Sequence, residues 1–378
     1  MHKVYIESSN TISSLGFTSQ ENYENIIAGK SGVKILETSQ LSEDVLPVSS
    51  INNIELENKF SNLNTNQEYT RFEKLAILSI KDAIDNSSID LSSERSLFIL
   101  STTKGNIELL NKDLKDKFDN KRLELHHTAK VIADFFNFKN SPLVISNACI
   151  SGVASIIMAQ RLIRKGKYDH VIVNGTDVLS KFVISGFQSF KSLSAEVCKP
   201  FDVNRVGLNI GEASATIIVS KNKSDIEIVN GATSNDANHI SGPSRTAEGQ
   251  YVSISNTIQG NRKIDFISAH GTATPYNDDM ESFAISRAEL ETVPTNSLKA
   301  YFGHTLGAAG VIESIISIEA MRDNQFIKTL GCTEVGVVKE INICQENKKQ
   351  EINSLLKLAS GFGGGNAAVL FKKANYNG

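Results

Sequence analysis

The chain has 378 residues, 40% of them hydrophobic and 21% charged, which excludes fibrous repeats, disordered tails and stapled miniproteins and leaves a soluble globular body of one large or two ordinary domains. Lys plus Arg number 39 against 42 Asp plus Glu, and a formal charge of -3 gives no field that would recruit nucleic acid or an anionic membrane. The cysteines Cys149, Cys198, Cys332 and Cys344 form no Cys-x-x-Cys pair, and no stretch approaches the roughly 18 apolar residues of a membrane span, so a reduced, untargeted, cytoplasmic protein is expected.

In chain order the pattern predicts a strand at Val4 to Ile6, then a helix capped by Thr18 or Ser19 that carries Tyr23, Ile26 and Ile27. Apolar residues at helical spacing predict a second helix from Glu68 to Asn86, followed by a buried strand at Leu97 to Leu100. The lysine-, aspartate- and asparagine-rich run Asn106 to Thr128 reads as a solvated helix or surface excursion and not as a charge-reading device. Strands at Leu143 to Ile145 and His170 to Asn174 enclose a helix at Gly152 to Lys165. The same style returns past Asp225, with strands at Ile226 to Val229, Ile264 to Ile267 and Val369 to Phe371 and helices at Asp278 to Leu290 and Gly307 to Met321. Two similar α/β halves are expected, 1–222 and 223–378, joined near the SKNKS run at Ser220 to Ser224.

Chemistry gathers at three places. Cys149, in ISNACISG, follows an apolar strand and opens an apolar helix, where the helix N-terminus should lower the thiol pKa; a small buried packing cysteine is the alternative. His270 in SAHGTATPYND and His304 in NSLKAYFGHTLGAAG sit at glycine-bracketed element ends and are candidates for catalysis or for structural hydrogen bonding. Lys299, Asp278 and Glu281 add charge beside them, with a solvent-exposed helix start as the plain alternative for Glu281. The glycine-rich GFGGGNA at Gly361 to Ala367 offers backbone N–H groups suited to an oxyanion and matches neither a Walker A loop nor a dinucleotide fingerprint.

Taken in order, ISNACISG, KPFDVNRVGLNIGEA, SAHGTATPYND, NSLKAYFGHTLGAAG and GFGGGNA resemble the β-ketoacyl synthases of the thiolase superfamily, and STTKGN and NYENIIAGKSGV resemble that family's opening. The resemblance implies a thiolase-like five-layered αβαβα core made of two similar halves. It implies that Cys149 accepts the acyl chain, that His270 and His304, both neutral, decarboxylate a malonyl unit and stabilise its enolate, and that the backbone N–H groups of Cys149 and Phe362 form the oxyanion hole. Lys299 matches the family's lysine, paired with the position of Glu313, and Asp278 matches a supporting acid. Thr272, Thr274 and Phe362 would line the channel for a phosphopantetheine arm delivered by an acyl carrier protein, and Phe187 would line the acyl pocket or serve as a core aromatic. No metal or bound cofactor is called for; the partners are the carrier protein and a second subunit, in a homodimer or a heterodimer with a paralogous ketosynthase.

The chain departs from many relatives at Ser360, where they have Phe, and at Val206-Gly207-Leu208, where they have Asp-Gly-Phe, and it leaves little room for the customary connection between Ser253 and Lys263. The resemblance therefore implies decarboxylative Claisen condensation in fatty acid, aryl polyene or polyketide-type elongation, with a chain-length-determining or scaffold subunit as the alternative. A thiolase, with its second cysteine late in the chain, and an initiating synthase, with its His and Asn pair, fit less well.

Overall fold

The computed structural model describes residues 2–35, 41–42, 44–115, 117–240, 242–261 and 263–375. Ten strands form its main sheet: β1 (Tyr5–Ile12), β2 (Ser96–Ser101), β3 (Leu143–Ile145), β4 (His170–Asp177), β5 (Ala213–Ser220), β6 (Ile226–Asn235), β7 (Phe266–Ser268), β8 (Thr295–Asn296), β9 (Ser354–Gly361) and β10 (Gly365–Lys373), in the order β8-β7-β9-β10-β6-β1-β5-β4-β2-β3. Read from its own edge, each half has its third, second, fourth, fifth and first strands in turn. The first three of these are parallel and the rest antiparallel in both halves. The halves meet where β1 pairs with β6 over Tyr5↔Glu227 and Ile6↔Ile226.

Helices α1 (Arg71–Asp85), α2 (Ser151–Arg164), α3 (Lys181–Ser189), α4 (Glu248–Ile258), α5 (Pro275–Arg287) and α6 (Ala309–Arg322) complete the layers that matter for the site. α2 and α6 pack on each other and on strands of both halves, α1 covers the outer face of the first half, and α4 covers that of the second with α5 against it. The result is the expected αβαβα stack. Strand side chains alternate between its cores: Val171, Val173, Ile217 and Val219 face the central helices, while Ile172 and Ile218 join the outer cluster under α1. Both faces being covered, β5 is buried along its whole length, and its sequence ASATIIVS carries no sustained polar/apolar alternation.

The sequence expectations differ from these elements in instructive ways. β1 runs on to Ile12 through ESSNT, because Ser8 donates to the Ala83 carbonyl of α1 (2.6 Å) and Asn10 donates to Phe17 O (3.2 Å). α1 starts at Arg71 behind a Thr70 cap with a Glu73 capping box, later than Glu68. Ser253 lies inside helix α4, which ends at Ile258, and the chain reaches β7 at Phe266 through a short link, in keeping with the little room expected there. Many of the described residues between 106 and 128 are exposed, yet Asn106 and Thr128 at the ends are fully buried, with Asn106 donating to Glu73 Oε1 (2.9 Å). Among the described residues, no helix is long and apolar enough to cross a membrane.

The crossing of α2 and α6 sets the register of the whole centre. A Cβ on Gly152 would lie 2.8 Å from Val311 N and 2.9 Å from Gly310 Cα, and one on Gly310 would lie 2.5 Å from Val153 N. Backbone touches backbone here, so neither side can yield by changing a rotamer. Gly152→Ala is expected to lower stability by about 1–3 kcal/mol in urea denaturation, through overpacking that the helices relieve only by separating. A wild-type midpoint would show that the crossing has slack.

Candidate active site

Cys149 stands on a sharp turn between β3 and α2. Ala148 has φ 45°, a left-handed conformation that costs a non-glycine residue energy, and Ser151 braces it by donating to Ala148 O (2.6 Å) while accepting from Asn147 N (2.7 Å). The turn presents the sulfur at the end of the central helix, directly beside the Gly152 crossing.

His304 arrives from the other side of that crossing. Gly303, at φ 66°, lies so near Ile210 that a Cβ would fall 2.9 Å from its carbonyl, and His304 is then held like one residue of a strand: its N–H donates to Asn209 O (2.6 Å) and its carbonyl accepts from Gly211 N (3.1 Å). The KPFDVNRVGLNIGEA segment thus clamps a histidine, a role its sequence did not announce. Nε2 of His304 lies 2.9 Å from Cys149 Sγ. Its Nδ1 is buried with no partner among the described residues, so the ring hydrogen is assigned to Nε2, where the sulfur can accept it.

His270 follows β7 on a loop held by two buried carboxylates. Glu281 accepts from His270 N (2.7 Å) and Gly271 N (2.5 Å), and Asp278 accepts from Thr272 N (2.9 Å) and Phe201 N (2.8 Å). Both acids come from α5, so Glu281 is a structural anchor and not an exposed helix-start charge. The His270 and His304 rings meet edge to face with centroids 5.2 Å apart, and the reactive atoms of Cys149, His270 and His304 all lie within 4.8 Å of one another.

The three side chains are buried, and the electrostatics of the site follow from that. Burial, reinforced by the Lys299 charge, holds both imidazoles well below their usual 6.5, so they are neutral at physiological pH. Burial also pushes the Cys149 thiol up to about 11, outweighing the pull of Lys299 and of the Phe362 N–H that points at the sulfur. The expectation of a thiol pKa lowered by the helix start is therefore corrected: desolvation of the thiolate is the larger effect. Asp278 is likewise pushed up to about 7, by burial and then by its neighbour Glu281.

Behind the histidines, Lys299 pairs with Glu313 as the resemblance implied, with both side chains buried. Lys357 on β9, which the sequence reading passed over, grips the other oxygen of Glu313 at 2.7 Å. Its signal was a lysine inside the apolar run LLKLA, a placement that needs a buried partner.

A cavity of about 460 Å³ opens from the three residues toward the surface, lined among others by Phe187, Leu208, Thr272, Thr274, Ser360 and Phe362. Phe187 on α3 stacks on Phe362 (centroids 5.7 Å), and Phe190 meets Phe362 edge-on (5.2 Å), so Phe187 is a half-buried wall of the cavity and not a core aromatic. Thr272 and Thr274 are joined by a hydroxyl contact of 2.8 Å. Cys198 and Cys332 are buried away from this cavity's lining, and Cys344 is half-buried, also outside it.

Removing the Asp278 carboxylate in Asp278→Ala leaves two buried N–H groups unpaired, and a loss of about 2–4 kcal/mol is expected in urea denaturation. A loss below about 0.5 kcal/mol would show that the loop holds without it.

Comparison with known proteins agrees with this geometry. The β-ketoacyl synthase N-terminal domain matches residues 1–225 and the C-terminal domain of the same family matches residues 226–333. The 3-oxoacyl-[acyl-carrier-protein] synthase 2 of Staphylococcus aureus (strain COL) is 25% identical over 98% of both chains. Among solved structures, the ketosynthase ApeO in complex with its chain length factor ApeC from Xenorhabdus doucetiae superposes with a TM-score of 0.88 at 24% identity, covering 99% of this chain and 98% of that one. A β-ketoacyl synthase from Burkholderia phymatum STM815 gives 0.85 at 24%, covering 99% and 100%. These last two speak to the fold, and the family matches span most of the chain: it belongs to the β-ketoacyl synthase family.

Proposed function

We propose that the protein is a β-ketoacyl-[acyl carrier protein] synthase, an acyltransferase that elongates an acyl chain by decarboxylative Claisen condensation with a malonyl thioester. The observation that carries this reading is one buried thiol and two buried imidazoles converging at one end of a single cavity, with Sγ to Nε2 at 2.9 Å.

In the first half-reaction the Cys149 sulfur attacks the carbonyl of an acyl thioester carried on phosphopantetheine. The new S–C bond forms as the carrier's breaks, the thiol proton ends on the departing carrier sulfur, and the Nε2–H of His304 steadies the charge developing on Cys149. The tetrahedral oxyanion is held by the N–H groups of Cys149 and Phe362. In the second half-reaction malonyl thioester loses carbon dioxide, and the electrons of the broken C–C bond become an enolate whose oxygen accepts from Nε2–H of both His270 and His304. Two neutral N–H donors suit this task, since charge appears only as the bond breaks. The enolate carbon then attacks the Cys149 thioester, collapse of the tetrahedral intermediate breaks the S–C bond and releases a chain two carbons longer, and the Cys149 thiolate that leaves takes up one proton from solvent to restore the thiol.

Thr272, Thr274 and Phe362 would receive the phosphopantetheine arm, and Phe187 the acyl chain. Lys299, Glu313 and Asp278 act behind the reacting groups, and no resident cofactor has a part in these steps. The reading includes an acyl carrier protein partner, a cytoplasmic setting, a division of the chain into halves at 222/223 and a dimer. Strand β3 ends the sheet with Leu143 exposed beside the nucleophile turn, which supports a subunit docking there. That subunit is a second copy or a paralogue; solved neighbours of the same fold come from ketosynthase–chain length factor complexes. A chain-length-determining role is the second reading, and the presence of Cys149 with both histidines speaks against it.

His270→Ala and His304→Ala are each expected to lower carbon dioxide release from malonyl carrier protein by at least about 100-fold, with part of the acyl transfer to Cys149 retained. Cys149→Ala should fold yet form no acyl-enzyme. Decarboxylation at the wild-type rate in either histidine variant would remove that residue from the mechanism.

A further inference from the structure

Lys357 occupies a place that neither the motifs nor the proposed chemistry assigns. It is fully buried at the centre of β9, four residues before the Phe362 loop begins at Gly361. Its Nζ donates to Glu313 Oε2 (2.7 Å), to Ser268 O (3.2 Å) and to Ala269 O (3.0 Å). Three acceptors around one nitrogen match the three N–H donors of an ammonium; a neutral amine would turn its lone pair toward an oxygen. The carbonyls it holds belong to the two residues immediately before His270. The carboxylate it holds is also gripped by Lys299, which stands at the start of the short helix Lys299–Phe302 leading into His304.

We propose that Lys357 is a positioning residue for the condensation centre, tying the His270 strand end and the Phe362 strand to the Glu313 carboxylate that also anchors the approach to His304. The three buried charges leave one net positive charge behind the histidine pair, because Lys299 and Lys357 share a single anion. That charge disfavours imidazolium and so helps to keep both donors neutral, and Lys357 is among the groups that lower His270 and His304. The other titratable groups that bear on the two rings or their immediate surroundings are Lys299, Glu313, Glu281 with Asp278 on α5, and Cys149, itself influenced by Lys104 and Asp177. Burial pulls Lys357 below its ordinary 10.5, and the Glu313 carboxylate opposes that pull.

This inference rests on the condensing-enzyme reading for its kinetic consequence and on geometry alone for its electrostatic one, and the test separates them. Lys357→Met keeps an unbranched side chain out to the ε position, leaves Glu313 paired with Lys299, and removes the net charge. Two quantities are read: histidine 13Cε1 NMR titration, with the resonances assigned through His270→Gln and His304→Gln, and the pH profile of carbon dioxide release from malonyl carrier protein. Without the nearby cation the imidazoles protonate more readily, so their midpoints should rise by about 0.5–1 pH unit, and the acid limb of decarboxylation should move up with them. Decarboxylation at neutral pH should fall about tenfold as His270 loses its fixed position, while acylation of Cys149 stays within about threefold of wild type. Lys357→Arg, which keeps the charge, should leave the limb in place. If Lys357→Met does not fold, Lys357→Gln can still donate to a carbonyl without charge and should give the same upward shift. Unmoved histidine midpoints in a folded uncharged variant, or acylation and decarboxylation falling equally with an unmoved limb, would overturn the proposal. A wild-type protein that releases no carbon dioxide would defeat the condensing reading, and the NMR titration would still decide the role of Lys357.

Discussion

Two helix ends that touch without side chains between them set the geometry of this protein. The contact of Gly152 with Gly310 lets α2 and α6 meet backbone to backbone, and the thiol at the start of one helix then reaches the imidazole just before the other. A single methyl group at either glycine would force apart the layers that the two halves of the sheet hold together. The repeated strand order is what delivers these helices to a shared centre: each half contributes one central helix, and each helix packs against strands of both halves. The site is thus a consequence of how the halves join.

The second organising feature is that the three reacting groups carry no formal charge while buried ion pairs stand behind them. Burial raises the thiol and lowers the imidazoles, so all three reacting groups rest in their neutral forms. Charge then appears only on the thioester oxygen or the enolate as bonds change, when fixed N–H donors in a low-dielectric space are most effective. The acidic and basic side chains are spent on architecture. Glu281 and Asp278 satisfy the backbone of the His270 loop, and Lys299, Glu313 and Lys357 bind three chain segments into one buried cluster. Such a cluster is expensive to desolvate and holds position well, a reasonable exchange where distances must stay within a few tenths of an ångström.

The layered fold was legible wherever strands and helices had apolar periodicity, as at Phe72 to Ile84 in α1 and Leu97 to Leu100 in β2. It was illegible where burial is two-sided or polar: β5 is small residues throughout its first half, and β1 keeps Ser8 and Asn10, whose partners lie in α1 and in the following loop. Cys149, His270 and His304 stood out as a set, through ordered motifs that resemble one family, while each taken singly was open to a structural reading. The direction of the thiol shift did not, since a helix start is visible in sequence and the depth of burial around it is not. Lys357 and Asn209 were missed for a related reason: one needs Glu313, more than forty residues earlier in the chain, to make sense of it, and the other acts through its carbonyl, which no side chain advertises.

The central claim is that one sulfur among four takes the acyl chain in this chamber. Peptide mapping by mass spectrometry, after incubating the wild-type protein with an acyl carrier protein thioester and quenching in acid, tests it most directly. The account predicts the acyl mass on the peptide that contains Cys149 and on no peptide containing Cys198, Cys332 or Cys344. An adduct on one of those three, or none anywhere with a carrier that is demonstrably loaded, would contradict it.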